Sequence, residues 1–143
     1  MSSVSSFLKQ NKKIKPNAFF PASTAFLDDE GNPVLWEIRP IDTKEDEQIR
    51  EACSVEVQVT GKPGLFRNKV DTSLYMAQLC AAAVVFPDLR STELMESYGV
   101  ISPADLLKEM LSAPGEYNSL VMFIQEYNGF NITMAEKQKT AKN

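Results

Sequence analysis

The sequence predicts an α+β protein, with a small antiparallel sheet of one or two β-hairpins packed against about five helices. Three observations predict it. In the first half, short β-prone or alternating runs are separated by clusters of Gly, Pro, Asn and Asp, the pattern of hairpins. In the second half, capping residues stand just before apolar residues at helical spacing. Between them, the stretch from Asp71 to Pro87 is apolar around almost its whole circumference, and a helix of that kind has to be covered on all sides.

Residues 1–20 lack a clear periodicity and read as an irregular N-terminal arm, with Phe19 and Phe20 beside Pro21 placed to tuck against the body. Residues 23–27 and 34–38 are β-prone runs flanking "DDEGN", a hairpin pattern. In the second run Val34, Trp36 and Ile38 alternate with Leu35, Glu37 and Arg39, so Trp36 faces the core. After Pro40, "DTKEDEQIREA" opens a helix. Asp42 or Thr43 caps it, Glu45 or Asp46 stands three residues on, and the acids of the first turn complement the helix dipole. Its apolar face is limited to Ile49, Ala52 and Cys53, so this helix docks through its C-terminal end.

"VEVQVT" alternates strictly, with Val55, Val57 and Val59 on one side, and reads as a strand with one wet face. "GKPG" then turns the chain toward a short partner strand in residues 65–70. Asp71 caps the next helix, which runs up to Pro87. All-round apolarity makes this helix, near residues 72–86, either the buried centre of the fold or a face for self-association.

"STELMESYG" is a short helix closed by Gly99 in a left-handed cap. "SPADLLKEML" carries the strongest start signal, with Ser102 as N-cap, Pro103 at the first helical position and Asp105 behind it. Leu106, Leu107, Met110 and Leu111 share one broad face opposite Lys108, and "APG" ends the helix. The final helix covers about 116–128, with Leu120, Phe123, Ile124 and Tyr127 in one stripe and Gly129 as the stop. Residues 134–143 read as a flexible tail, and the chain 1–143 as a single domain.

Composition narrows the function classes. With 143 residues, 43% hydrophobic and 24% charged, the chain has the make-up of an ordinary globular protein. Its longest apolar run, residues 79–86, is far shorter than the ~20 residues of a membrane span. The lysine-bearing N-terminus has no apolar segment of a secretory signal. Lysines gather at the two ends, whereas residues 16–135 hold 8 basic and 18 acidic residues, a net charge of −10. A body so acidic repels a phosphate backbone, so nucleic acid is excluded as a partner. Cys53 and Cys80 have no CxxC spacing and read as buried free thiols of a reducing compartment.

The chain has no histidine, which removes the commonest general base and the commonest transition-metal ligand together. No dinucleotide or phosphate-binding glycine motif occurs. Ser6 and Lys9 match the SxxK spacing of some serine acylases, but the companion motifs of that chemistry do not follow. Asn131-Ile132-Thr133 is a glycosylation sequon that matters only in a secreted protein. The cluster Asp28-Asp29-Glu30 fails as a calcium loop, because counting from Asp28 puts Pro33 where glycine is required and Arg39 where glutamate is required. Turn chemistry accounts for the same residues: Asp and Asn bond their own backbone, and Gly31 permits positive φ. The expectation is no catalytic residue, no metal and no cofactor.

The order of the pieces resembles a known family. "STAFLDDEGNPVLWEIRPI" leads into "TKEDEQIREAC", followed by "VVFPDLRSTELMESYGV", "LLKEML" and "APGEYNSLVMFIQEYNGF". This is similar to the XkdN-like tail assembly chaperones of phages and prophages with contractile tails. The resemblance covers roughly residues 5–132, and its most specific parts are residues 87–100 and the pairing of "PGEY" (114–117) with "NGF" (128–130). It implies a non-enzymatic protein of the bacterial host cytoplasm that binds the long, helix-rich tape measure protein and keeps it soluble during tail assembly. A longer, frameshifted form of the chain is a further partner it implies. A structural or tail-completion protein retained in the phage particle is the alternative.

For such a role the acidic body supplies solubility, and apolar helix surface supplies the contact. The candidate surface is the C-terminal helical pair, through Leu107, Leu111, Val121, Met122 and Gln125. Met122 stands out because it lies opposite the apolar stripe, beside Asn118 and Gln125, where a flexible thioether suits an adaptable contact.

Overall fold

The structure, a computed structural model, describes residues 3–130. The expected C-terminal tail and the sequon at 131–133 lie outside the described residues. Five helices and two small antiparallel sheets make an α+β fold, as the sequence predicts.

The larger sheet is antiparallel throughout, with β2 (Trp36–Ile38) between β1 (Ala18–Phe20) and β5 (Val84–Phe86). At its centre, β2 (Trp36–Ile38) turns Trp36 and Ile38 inward, where both are fully buried, and Glu37 outward. Its neighbour β1 (Ala18–Phe20) pairs Phe19 with Glu37 and Phe20 with Trp36. The irregular arm expected over residues 1–20 gives way to strand at Ala18, and from residue 3 it holds two single-turn 3-10 helices, Val4–Phe7 and Lys9–Asn11, followed by the irregular residues 12–17.

The expected pairing of residues 23–27 with 34–38 needs correction. The acidic loop does close, through Val34 N donating to Phe26 O at 2.8 Å and one bridge between Leu27 and Pro33. A ladder does not continue from it, because Ser23 and Thr24 donate instead to the carboxylate of Glu116. The strand beside β2 is thus recruited from further back, at 18–20. Inside the loop, Asp28 Oδ1 accepts from the N–H groups of Glu30 and Asn32, both at 2.9 Å, and Gly31 has φ of 82°. The acids form a turn that uses its own carboxylate.

Helix α1 (Thr43–Ala52) is capped by Asp42, whose side chain accepts from Glu45 N at 2.7 Å. Arg39 grips Glu45 with both guanidinium nitrogens, and Asp46 pairs with Arg50 one turn on. Asp46 also accepts from the Tyr75 hydroxyl, while the Arg50 guanidinium lies 4.5 Å over the Tyr75 ring. The C-terminal end of α1 docks as expected, with Cys53 buried against Tyr75 and Leu79.

The second sheet is a two-stranded ribbon of β3 (Ser54–Gln58) and β4 (Phe66–Val70), turned through Gly61 and Gly64 with φ of 76° and 81°. The expected partner strand is therefore present. The valine side is not a dry face, however, and Val55 is left exposed. Register explains this: Val55 lies opposite Lys69 and Val57 opposite Arg67, so charged heads keep that face hydrated.

Helix α2 (Thr72–Ala83), capped by Asp71, is the centre of the fold. Tyr75, Ala77, Leu79, Cys80, Ala81 and Ala83 are all buried, so most of its apolar surface is spent inside the chain, while Leu74 in its first turn stays exposed. It ends earlier than expected, and Val84–Phe86 cross over as β5 beside β2. The residue before Pro87 disfavours helical backbone, and two consecutive valines suit a strand. Arg39 N then donates to Ala83 O at 2.9 Å, fixing the switch point.

The remaining helices close the core from the other side. Helix α3 (Thr92–Tyr98) is capped by Ser91 and ended by Gly99 at φ 67°, and α4 (Pro103–Met110) is capped by Ser102. Helix α5 (Pro114–Tyr127) starts at Pro114 without a side-chain cap. Leu106, Leu107, Leu120 and Ile124 join Trp36, Ile38 and Leu89 in one cluster around α2.

Candidate partner-binding surface

Helix α4 turns its whole apolar face inward. Ser102 Oγ accepts from Asp105 N at 3.2 Å, Pro103 fits the first turn, and the resulting orientation buries Leu106, Leu107 and Met110. Leu111, just past the helix, is buried as well. Leu107 and Leu111 therefore cannot line a contact surface in this conformation. Burial of each stabilises the fold by roughly 1.5–3 kcal/mol, which would be forfeited on presenting it to a partner.

Helix α5 does present a surface. Leu120 and Ile124 are buried, and Phe123 stacks on Phe20 with ring centroids 4.5 Å apart. Tyr127 continues the stack at 6.0 Å, and Lys15 Nζ lies 4.0 Å over its ring. The opposite side carries Asn118, Val121, Met122 and Gln125, neighbours at helical spacing. Met122 is 59% exposed, whereas Val121 and Gln125 are half-buried on its flanks. Val121 also borders a shallow depression of about 270 Å³ shared with Met76, Lys108 and Tyr117. Of the five residues singled out from sequence, three share this open face and two belong to the core.

Two polar side chains hold α5 in place. Glu116, in the first turn, accepts from Ser23 Oγ at 2.7 Å and from Thr24 N at 2.9 Å. These bonds, the Thr24 N–H foremost, hold the Glu116 carboxyl below the ordinary glutamate range. At the far end, Asn128 Oδ1 accepts from Ile41 N at 2.6 Å, and Asn128 Nδ2 donates to Ile124 O at 2.9 Å. Glu116 and Asn128 belong to the "PGEY" and "NGF" motifs, so the residues carrying the resemblance fasten the last helix to the first third of the chain. Their roles were not readable from the motifs alone, since the partners lie 93 and 87 positions away.

Ser6 and Lys9 lie in successive 3-10 turns at exposed positions of the arm. Asp28 is engaged by its own turn. Among the described residues no three His, Cys, Asp or Glu side chains gather as a metal would require, and no helix is long and apolar enough to cross a membrane.

The geometry thus defines an α+β protein whose last helix is pinned on one side and open, with an apolar-and-amide stripe, on the other. The chain belongs to the phage XkdN-like tail assembly chaperone family, whose description matches residues 4–142. It is 27% identical over 139 residues to the phage-like element PBSX protein XkdN of Bacillus subtilis (strain 168), covering 96% of this chain and 93% of that protein. The uncharacterized protein YqbN of the same organism is also 27% identical, over 148 residues, covering 94% of this chain and 98% of YqbN. The crystal structure of YqbN superposes with a TM-score of 0.75 at 24% identity, over 92% of this chain and 99% of that one, and so shares the fold.

Proposed function

We propose that this tail assembly chaperone binds the tape measure protein and keeps it soluble in the host cytoplasm until the tail tube closes around it. The role is one of binding, without catalysis or cofactor, and the whole chain acts as one domain. The observation that carries the reading is the stripe of Val121, Met122 and Gln125 on α5, an open apolar-and-amide face on a helix otherwise locked to the core. An amphipathic helix of the client fits such a face, with Met122 adapting to its side chains. The acidic body limits association with anything else. A longer form of the chain, made by frameshifting, is the second expected partner.

Affinity capture of the tagged protein from cells assembling tails, followed by mass spectrometry, tests the reading. Recovery of a long helical tail protein in a soluble complex outside particles supports it. Met122→Asp, at an exposed position, should abolish that recovery while leaving the fold intact. Recovery solely within finished particles, at fixed stoichiometry with tube or baseplate proteins, would replace the chaperone reading with a structural one.

A further inference from the structure

We propose that the N-terminal arm of one copy docks on the outer face of the three-stranded sheet of a second copy, closing a two-fold dimer. The outer face is defined by register. Glu37 points away from the core, Phe19 lies directly opposite it on β1, and Phe86 lies directly opposite it on β5. The row therefore reads Phe-Glu-Phe across the sheet, with the aromatic residues 60% and 52% exposed. Leu35, two residues before Glu37, is exposed as well and extends the patch. Two exposed aromatic residues flank Glu37 on one sheet face with Leu35 beside them, a grouping unlike single apolar residues scattered over a protein exterior.

The arm is the complementary object. Val4 and Phe7 in its first 3-10 turn are 79% and 85% exposed. Residues 1–27 contain four lysines and no acid, whereas the patch has Glu37 at its centre. Glu37 Oε2 accepts from Asn17 Nδ2 at 2.8 Å within its own chain, and Lys9, Lys12 and Lys13 border Asp42 and Glu45; apolar side chains followed by these exposed lysines still match an apolar surface with a carboxylate in the middle. The occupant is a second copy because each chain carries both halves of the contact. The arm runs directly into β1, the edge strand of the sheet that bears the patch. Two copies related by a two-fold axis then satisfy both arms and both patches at once, and the assembly closes. The central helix α2, largely covered within its own chain, takes no part.

Sedimentation velocity of the full chain across a concentration series is the test. The expected result is a doubling of the 16.0 kDa monomer mass as concentration rises. Phe7→Asp, at an exposed position that contributes nothing to the core, should weaken self-association roughly tenfold or more, as loss of an aromatic anchor does. Glu37→Lys should weaken it too, and reversal of Lys9, Lys12 and Lys13 to Glu in the same chain should restore it. A carbodiimide cross-link between an arm lysine of a heavy-labelled copy and Glu37 of a light one is the direct signature. A monomer at every concentration overturns the proposal, as does a dimer indifferent to both Phe7→Asp and Glu37→Lys. If the chain stays monomeric and Phe7→Asp instead costs retention of a tail protein, the arm serves another partner and the proposal fails.

Discussion

The hydroxyl of Ser23 donates to the carboxylate of Glu116 at 2.7 Å, joining residues 93 positions apart in the chain. Ser23 is a buried polar side chain whose hydroxyl also accepts from Ala25 N at 3.0 Å, so its hydrogen-bonding capacity is used on both sides. The same carboxylate takes Thr24 N–H, and this pair of bonds keeps residues 23–27 from extending the sheet.

Acid should loosen this fastening. The Glu116 carboxyl is held below its ordinary range in the fold, so it stabilises the protein above its unfolded pKa, and that contribution is lost as pH falls through the folded value. Glu116→Gln should lower the thermal midpoint at neutral pH, and the gap to wild type should shrink below about pH 4.3, the ordinary glutamate value. Melts followed by Trp36 fluorescence check this; a gap constant down to pH 3 would mean the charge has no part in the contact.

Asn128 makes a second prediction. Asn128→Ala leaves the Ile41 N–H without its acceptor and should destabilise the protein by roughly 1–3 kcal/mol. Asn128→Asp keeps an acceptor for Ile41 N–H but sets a carboxylate oxygen against the Ile124 carbonyl at the helix C-terminus, so it should recover only part of the loss. Urea denaturation of both variants separates a lost acceptor from a general loss of packing, since the second cause would hurt them equally.

The thiols should be silent in the native state. Cys80 is fully buried, and burial pushes its thiol up to about 12; Cys53 is raised by the same cause. Both are free. Thiol titration at pH 8 should therefore register neither until the protein unfolds, and then both. Rapid labelling of Cys53 alone would show that the contact of α1 with Tyr75 and Leu79 opens locally.

The ribbon of β3 and β4 should be the least protected of the strands. It holds itself together by its own ladder, and its flanking residues are largely exposed. Hydrogen exchange should be faster in residues 54–70 than in α2 or α4, whose bonds lie within the core. Equal protection across both regions would contradict a ribbon that stands away from the main cluster.

Much of this was legible in the sequence, and the rest was hidden for definable reasons. Caps are local, so Asp71 and Ser102 announce their helices, and Asp42 does so up to the choice between it and Thr43. Trp36 faces inward as its alternation implies. Three-residue strands carry no period to read, and β1 and β5 exist because β2 lies between them. The helical face of Leu107 and Leu111 was readable, but a face says nothing about whether the same chain covers it. On α5 the converse held: Met122 sits opposite the buried stripe, and position on the helix was enough to expose it.

The fastenings at Glu116 and Asn128 also order events during synthesis. At about 5–20 residues per second, Ser23 leaves the ribosome on the order of 5–20 seconds before the carboxylate that secures it. Until then Trp36 and Ile38 lack the Leu120 and Ile124 side of their cluster. The nascent chain thus cannot close its core until translation has passed residue 128, and a ribosome stalled before that point would hold an unfinished, sticky protein.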